Sequence, residues 1–187
     1  INAADVKNTN EACTLAAFGC LVQLCKVPEF ASRLIKQGVV SKLEMALHTM
    51  EGYCNKQLRE KSLYAYAWLS KMPGDERRLI CTKPFLDGMR RELETGTRHA
   101  KITCVQMMLN LHNYFPSPQA EEKFVTEVRD VLLVLMSTGM WHARNLCIKT
   151  ICVLYRSEEN KIYFARNGAY QAIIELICAK NSDLQEA

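Results

Sequence analysis

Nothing in this chain of 187 residues approaches the ~20 consecutive apolar residues that a membrane-spanning helix requires, and its start carries no secretory pattern. No Cys-x-x-Cys pair occurs, so the usual zinc and thiol-redox signatures are missing. His-Glu-x-x-His, Gly-x-x-x-x-Gly-Lys and Gly-x-Ser-x-Gly are absent as well. Nothing therefore indicates a metalloprotease helix, a phosphate-cradling loop or a nucleophile elbow. Charge of one sign is scarce: 24 basic and 20 acidic side chains leave a net +4. That excess does not imply nucleic acid and leans only weakly toward an acidic partner. These absences predict no catalytic residue, no cofactor, no metal and no enzymatic activity.

What is present is ordinary for a soluble helical domain, with 49% apolar and 24% charged residues. Nine cysteines could suggest disulfides, but the count is odd and the spacing irregular. Cys20, Cys104, Cys147 and Cys152 lie inside apolar helical patterns, where a reduced thiol acts as a small hydrophobe. Free thiols point to a reducing compartment, the cytoplasm first and the nucleus as the alternative. The chain opens on Ile1 rather than Met, which suggests a piece of a longer polypeptide.

The dominant signal is internal repetition. His99-Ala100-Lys101 followed by Cys104-Val105 matches His142-Ala143-Arg144 followed by Cys147-Ile148, at an offset of 43. Phe18, Leu63, Val105 and Ile148 continue that register, as do Leu24, Leu69, Leu111 and Leu154, with steps of 45, 42 and 43 in both series. Helical periodicity recurs over 11–26, 55–72, 98–114 and 141–156. Buried stripes are predicted at Leu58, Leu63, Tyr66 and Leu69, at Cys104, Val105, Met108 and Leu111, and at Cys147, Ile148, Ile151 and Leu154.

Between these segments lie pairs of shorter helical patterns. Each pair follows a break at Val27-Pro28-Glu29, Met72-Pro73-Gly74-Asp75, Pro116-Ser117-Pro118 or Ser157-Glu158-Glu159-Asn160. A glycine turn divides the first pair at Gly38 and the last at Gly168. Leu43 and Leu47 then match Ile173 and Ile177 by offset. Pro84 takes the glycine slot in the second unit, with Met89 and Leu93 following it. In the third unit Glu127 takes the slot if Leu132 and Met136 keep register. Glu121-Glu122 and Glu158-Glu159 fall at helix starts, where the dipole favours carboxylates.

A short helix, a glycine turn, a second helix and a longer third helix resemble the armadillo repeat, most clearly over Glu159–Ile177 and Leu58–Leu69. The resemblance covers nearly the whole chain. It implies an all-α fold, a right-handed α-solenoid of about four armadillo-like repeats, truncated at both ends. The single domain would span 1–187, with repeat units at approximately 1–26, 27–72, 73–115, 116–156 and 157–187. The tail from Asn181 to Ala187 reads as a cap and the start of another third helix.

In that family third helices line a concave face, and importin-like members use a Trp with an Asn four residues later. The resemblance places those slots at Gly19 and Gln23, Tyr64 and Trp68, Gln106 and Asn110, and Lys149 and Val153. Only Asn110 matches, so capture of a basic localisation peptide is not expected. The implied groove residues are Gln23, Tyr64, Trp68, Gln106, Asn110 and Lys149. Tyr64 and Trp68 would supply an aromatic surface, the amides would bond a peptide backbone, and Lys149 with Arg144 and Lys101 would attract acid. The basic run Arg90-Arg91, Arg98, His99, Lys101, interrupted by Glu92 and Glu94, reads as a solvated loop. His99 and His142 occupy equivalent positions and suggest a shared capping or turn role.

The expected function is a protein–protein interaction scaffold that binds an extended or helical segment of a partner protein in the groove. No small-molecule substrate, nucleic acid or transmembrane segment is expected, and the cut ends suggest end-to-end self-association. The alternatives are a regulatory armadillo region of a larger enzyme, or a co-factor resembling the armadillo nucleotide-exchange factors of chaperones.

Overall fold

A computed structural model describes residues 3–48, 53–154 and 156–183. Among the described residues the chain is all-α, with eleven helices and no strand. It divides into two compact units, Ile1–Arg91 and Glu92–Ala187. Among the described residues no helix is long and apolar enough to cross a membrane.

The first unit contains α1 (Ala3–Cys25), α2 (Pro28–Lys36), α3 (Val39–Leu47), α4 (Tyr53–Leu69), α5 (Glu76–Ile80) and most of α6 (Lys83–Thr95). Pro28 starts α2, where its missing N–H costs nothing, and Glu29 lies in the positive first turn. Gly38 ends it at φ +80°, and its N–H donates to Ile35 O at 3.0 Å. That left-handed residue reverses the chain so that α3 can start at once.

The packing of the first unit follows the expected stripes. Leu43 and Leu47 of α3 are buried, as are Leu63, Tyr66 and Leu69 of α4, while Leu58 is half-buried. Tyr66 donates to Val40 O at 3.2 Å, and its ring centroid lies 4.5 Å from that of Phe85. α4 thereby joins α3 to α6. Pro84 does not take a turn position. It sits inside the first turn of α6, and the break lies earlier, at Cys81-Thr82. Thr82 Oγ1 accepts the Phe85 N–H at 3.3 Å, so a hydroxyl at the start of α6 marks the break that was expected at Pro84.

The second unit contains α7 (Arg98–Leu111), α8 (Pro118–Thr138), α9 (Trp141–Leu154), α10 (Glu158–Arg166) and α11 (Ala169–Asp183). Thr97, Ser117 and Ser157 cap α7, α8 and α10, accepting from Ala100, Ala120 and Asn160 N–H at 3.2, 3.1 and 3.3 Å. Thr97, not His99, is thus the cap of α7. The stripe Cys104, Val105, Met108, Leu111 is buried, as are Cys147, Ile151 and Leu154, with Ile148 half-buried. α9 packs on α7, where buried Thr150 Oγ1 donates to Leu146 O at 2.9 Å and lies 3.4 Å from Val105 O.

Three expectations about this unit change. α8 is one helix of 21 residues with no turn at Glu127, because neither glycine nor proline interrupts Gln119–Thr138. Leu132 and Met136 are nevertheless buried, so the register held without the break. α10 ends at Gly168 (φ +88°) as expected, but Ile173 is half-buried and Ile177 is 59% exposed. α3 packs against the later helix α4, whereas among the described residues no later helix packs against α11. Finally, α11 runs through Asn181-Ser182 to Asp183 rather than capping there. The expected new third helix over 184–187 lies outside the described residues.

Candidate functional site

The residues expected to line a groove fall into two sets, one in each unit. In the first unit Gln23 sits on α1, and Tyr64 and Trp68 lie one turn apart on α4. α1 and α4 pack against each other. A Cβ at Gly19 would meet only the Lys61 Nζ, at 3.5 Å, which is an ordinary contact, so this packing does not depend on a glycine there.

Gln23 and Trp68 are joined through Lys26. Its ammonium donates to Gln23 Oε1 at 2.7 Å and stands 5.8 Å from the Trp68 ring centroid. Lys71, in the turn after α4, places its ammonium 4.2 Å from the same centroid. Trp68 is half-buried, Gln23, Lys26 and Lys71 are exposed, and Tyr64 is half-buried. Burial, with a smaller contribution from the Glu60 charge, raises the Tyr64 phenol above its ordinary range. The surface thus has an aromatic floor, an amide and two ammonium groups.

Lys26 and Lys71 were missed in the sequence, although a signal existed. Each lies two residues after its repeat leucine, Leu24 and Leu69, so they occupy equivalent positions. The next two residues in that series are Asn113 and Arg156, which also meet: Arg156 Nη2 donates to Asn113 Oδ1 at 2.9 Å.

In the second unit Gln106 and Asn110 meet on α7, with Gln106 Nε2 donating to Asn110 Oδ1 at 3.1 Å, and both are half-buried. Lys149 is exposed on α9, and its neighbour Thr150 contacts Val105, the residue before Gln106. Arg144 and Lys101 do not join it as open charges. Arg144 is held by Met136 O and by Glu175, each at 2.9 Å, and Lys101 donates to Glu94 O at 2.9 Å. Both spend their donors on the protein itself.

A depression of about 480 Å³ also lies in the second unit, lined by Asp130, Met136, Tyr163, Gln171 and Glu175 among others. Its acids are engaged: Asp130 accepts the Tyr163 hydroxyl, and Glu175 pairs with Arg144. The Arg129 guanidinium lies 3.8 Å from the Tyr163 ring centroid. The bond to Asp130 raises the Tyr163 phenol above its ordinary range, with burial adding to it. Both acids therefore make contacts within the protein.

Neither the models of protein families nor the curated proteins contain a match to this chain.

Proposed function

We propose that this chain is a non-enzymatic armadillo-type scaffold, a solenoid of about four repeats, that recognises a segment of a partner protein on the surface of its third helices. Support for the repeat reading comes from the shared register of α4, α7 and α9, and from the matching left-handed turns at Gly38 and Gly168. The undivided α8 and the five-residue α5 are its two departures from the pattern.

The observation that carries the binding reading is Trp68, a large aromatic only partly buried on a well-packed helix with Gln23, Lys26 and Lys71 around it. Aromatics of this kind dominate interface energetics, because they bury large area with few rotatable bonds. The helices that hold it are already packed, so little ordering free energy is lost on binding. The amides of Gln23, Gln106 and Asn110 can donate to and accept from an extended backbone.

The test is selection from a displayed peptide library by the wild type and by Trp68→Ala. The variant should keep its helix content and melting midpoint and lose enrichment. Equal enrichment by a folded variant would remove Trp68 from the recognition surface.

A further inference from the structure

We infer that the Lys26–Trp68–Lys71 cluster is a docking point for the carboxylates of an extended acidic peptide. This rests on the scaffold reading above and names the chemistry of the partner.

Two ammonium groups converge on one indole, at 4.2 and 5.8 Å from its centroid. Each is attracted to the ring face, but that gain is only about 0.5–1 kcal/mol at an exposed site. The two cations also repel one another. Among the described residues neither Lys26 nor Lys71 has a carboxylate partner. Lys26 donates instead to the neutral amide oxygen of Gln23. A third ammonium, that of Lys61, lies by Gly19 further along the α1–α4 seam, and it too lacks a carboxylate partner among the described residues. Among the described residues these three ammonium groups are paired with no carboxylate, whereas Arg144 and Arg129 in the second unit are each paired with an acid.

A carboxylate that reaches either ammonium would pair with it and offset the repulsion between the two. The methylenes of a Glu side chain would lie against the indole edge. The Gln23 amide, released from Lys26, would be free to bond the peptide backbone. A basic segment would meet two like charges at the centre of the surface. Single-stranded nucleic acid fits less well: Lys71 already occupies a face of Trp68 on which a base would stack, and the chain's net charge is only +4.

The test uses the full chain carrying Trp141→Phe, which leaves Trp68 as the single tryptophan reporter. Trp141 is exposed on α9, in the second unit. Four titrants are compared by Trp68 emission: a Glu-rich peptide, the same peptide with Gln for Glu, a Lys-rich peptide and an oligothymidylate. The Glu-rich peptide should bind at least about tenfold tighter than its Gln counterpart. That advantage should shrink as salt rises toward about 1 M, where charges are screened within ~3 Å. Lys26→Glu and Lys71→Glu should each abolish it, and Lys71→Gln, which adds no new charge, should weaken it.

Equal binding of the Gln peptide, or tighter binding of the Lys-rich one, would overturn the acidic assignment and leave the scaffold reading standing. Tighter binding of the oligothymidylate would overturn it in favour of nucleic acid. No response to any titrant would also overturn it, and the library selection would then decide the scaffold reading by itself.

Discussion

Arg156 Nη1 donates to Glu121 Oε2 at 3.0 Å, joining a side chain that is 52% exposed to one that is 5% exposed. The same guanidinium holds Asn113, and so ties the turn after α7 to the start of α8. The other carboxylate oxygen of Glu121 is buried with no hydrogen-bond partner among the described residues. Desolvation outweighs the pull of Arg156 and His112, so the Glu121 carboxyl sits above its ordinary value. An acid raised in the folded state adds stability that is fully present below its unfolded pKa and is lost as pH rises through the folded pKa.

Glu121→Gln removes that loss and keeps an amide oxygen for Arg156. The variant should match the wild type below the ordinary glutamate pKa and exceed it at neutral pH. Urea midpoints measured from acid to neutral pH would show it. A difference that is constant with pH, or a loss at neutral pH, would mean that the ion pair outweighs burial.

The Gly38 turn can be tested without disturbing any contact. A Cβ there meets nothing within 4 Å, so the cost of Gly38→Ala is backbone strain alone. At φ +80° that strain is about 1–2 kcal/mol, partly offset by the lower entropy of the unfolded variant. Gly38→Asn should lose less, since Asn tolerates this region. Gly168→Ala, at φ +88° with equally open space, should behave alike. Calorimetric midpoints that do not move would show that the turn relaxes to another geometry.

Periodicity made the helices and their buried stripes legible. Cys104, Met108, Leu111, Cys147 and Leu154 were placed correctly because a 3.6-residue stripe survives wherever a helix packs on one side. Turns inside the helix pairs were legible only where the backbone demands a special residue. Gly38 and Gly168 announced themselves, but the break before α6 is made by Thr82, and nothing breaks α8 at Glu127. Exposure followed tertiary context rather than pattern: Ile177 repeats Leu47 in sequence, yet no later described helix packs against α11. At the site, Trp68 was visible as an aromatic, whereas Lys26 and Lys71 resembled ordinary solvated lysines. Their convergence needs α1 beside α4, a contact that no spacing rule fixes.

Tyr66 ties its helix to two neighbours by different means, and the two can be separated. Its hydroxyl donates to Val40 O, and its ring packs on Phe85. Burial, with the Glu44 charge second, pushes its phenol far above the ordinary range. Tyr66→Phe should cost about 0.5–1.5 kcal/mol, the net worth of one hydrogen bond. Tyr66→Ala should cost about 3–5 kcal/mol through the cavity. Alkaline absorbance titration should find this tyrosine un-ionised until the fold is lost. A Phe variant as unstable as the Ala variant would overturn the division.

Thiol chemistry should sort the cysteines by burial rather than by sequence pattern. Cys20 and Cys152 share the apolar helical setting of Cys104 and Cys147, yet they are exposed, along with Cys13 and Cys178. Cys25, Cys81, Cys104 and Cys147 are buried. Burial raises the Cys25 thiol to about 11 and the Cys147 thiol to about 12, and it raises Cys104 well above the ordinary value. Since the thiolate is the nucleophile, raising the pH toward 9 leaves Cys25 and Cys147 almost wholly protonated as well as hidden. Brief alkylation of the folded chain, read by peptide mass spectrometry, should modify Cys13, Cys20, Cys152 and Cys178. The four buried thiols should react only once denaturant unfolds the chain. Early labelling of Cys104 or Cys147 would mean that the α7–α9 core opens locally, because their access requires those helices to part.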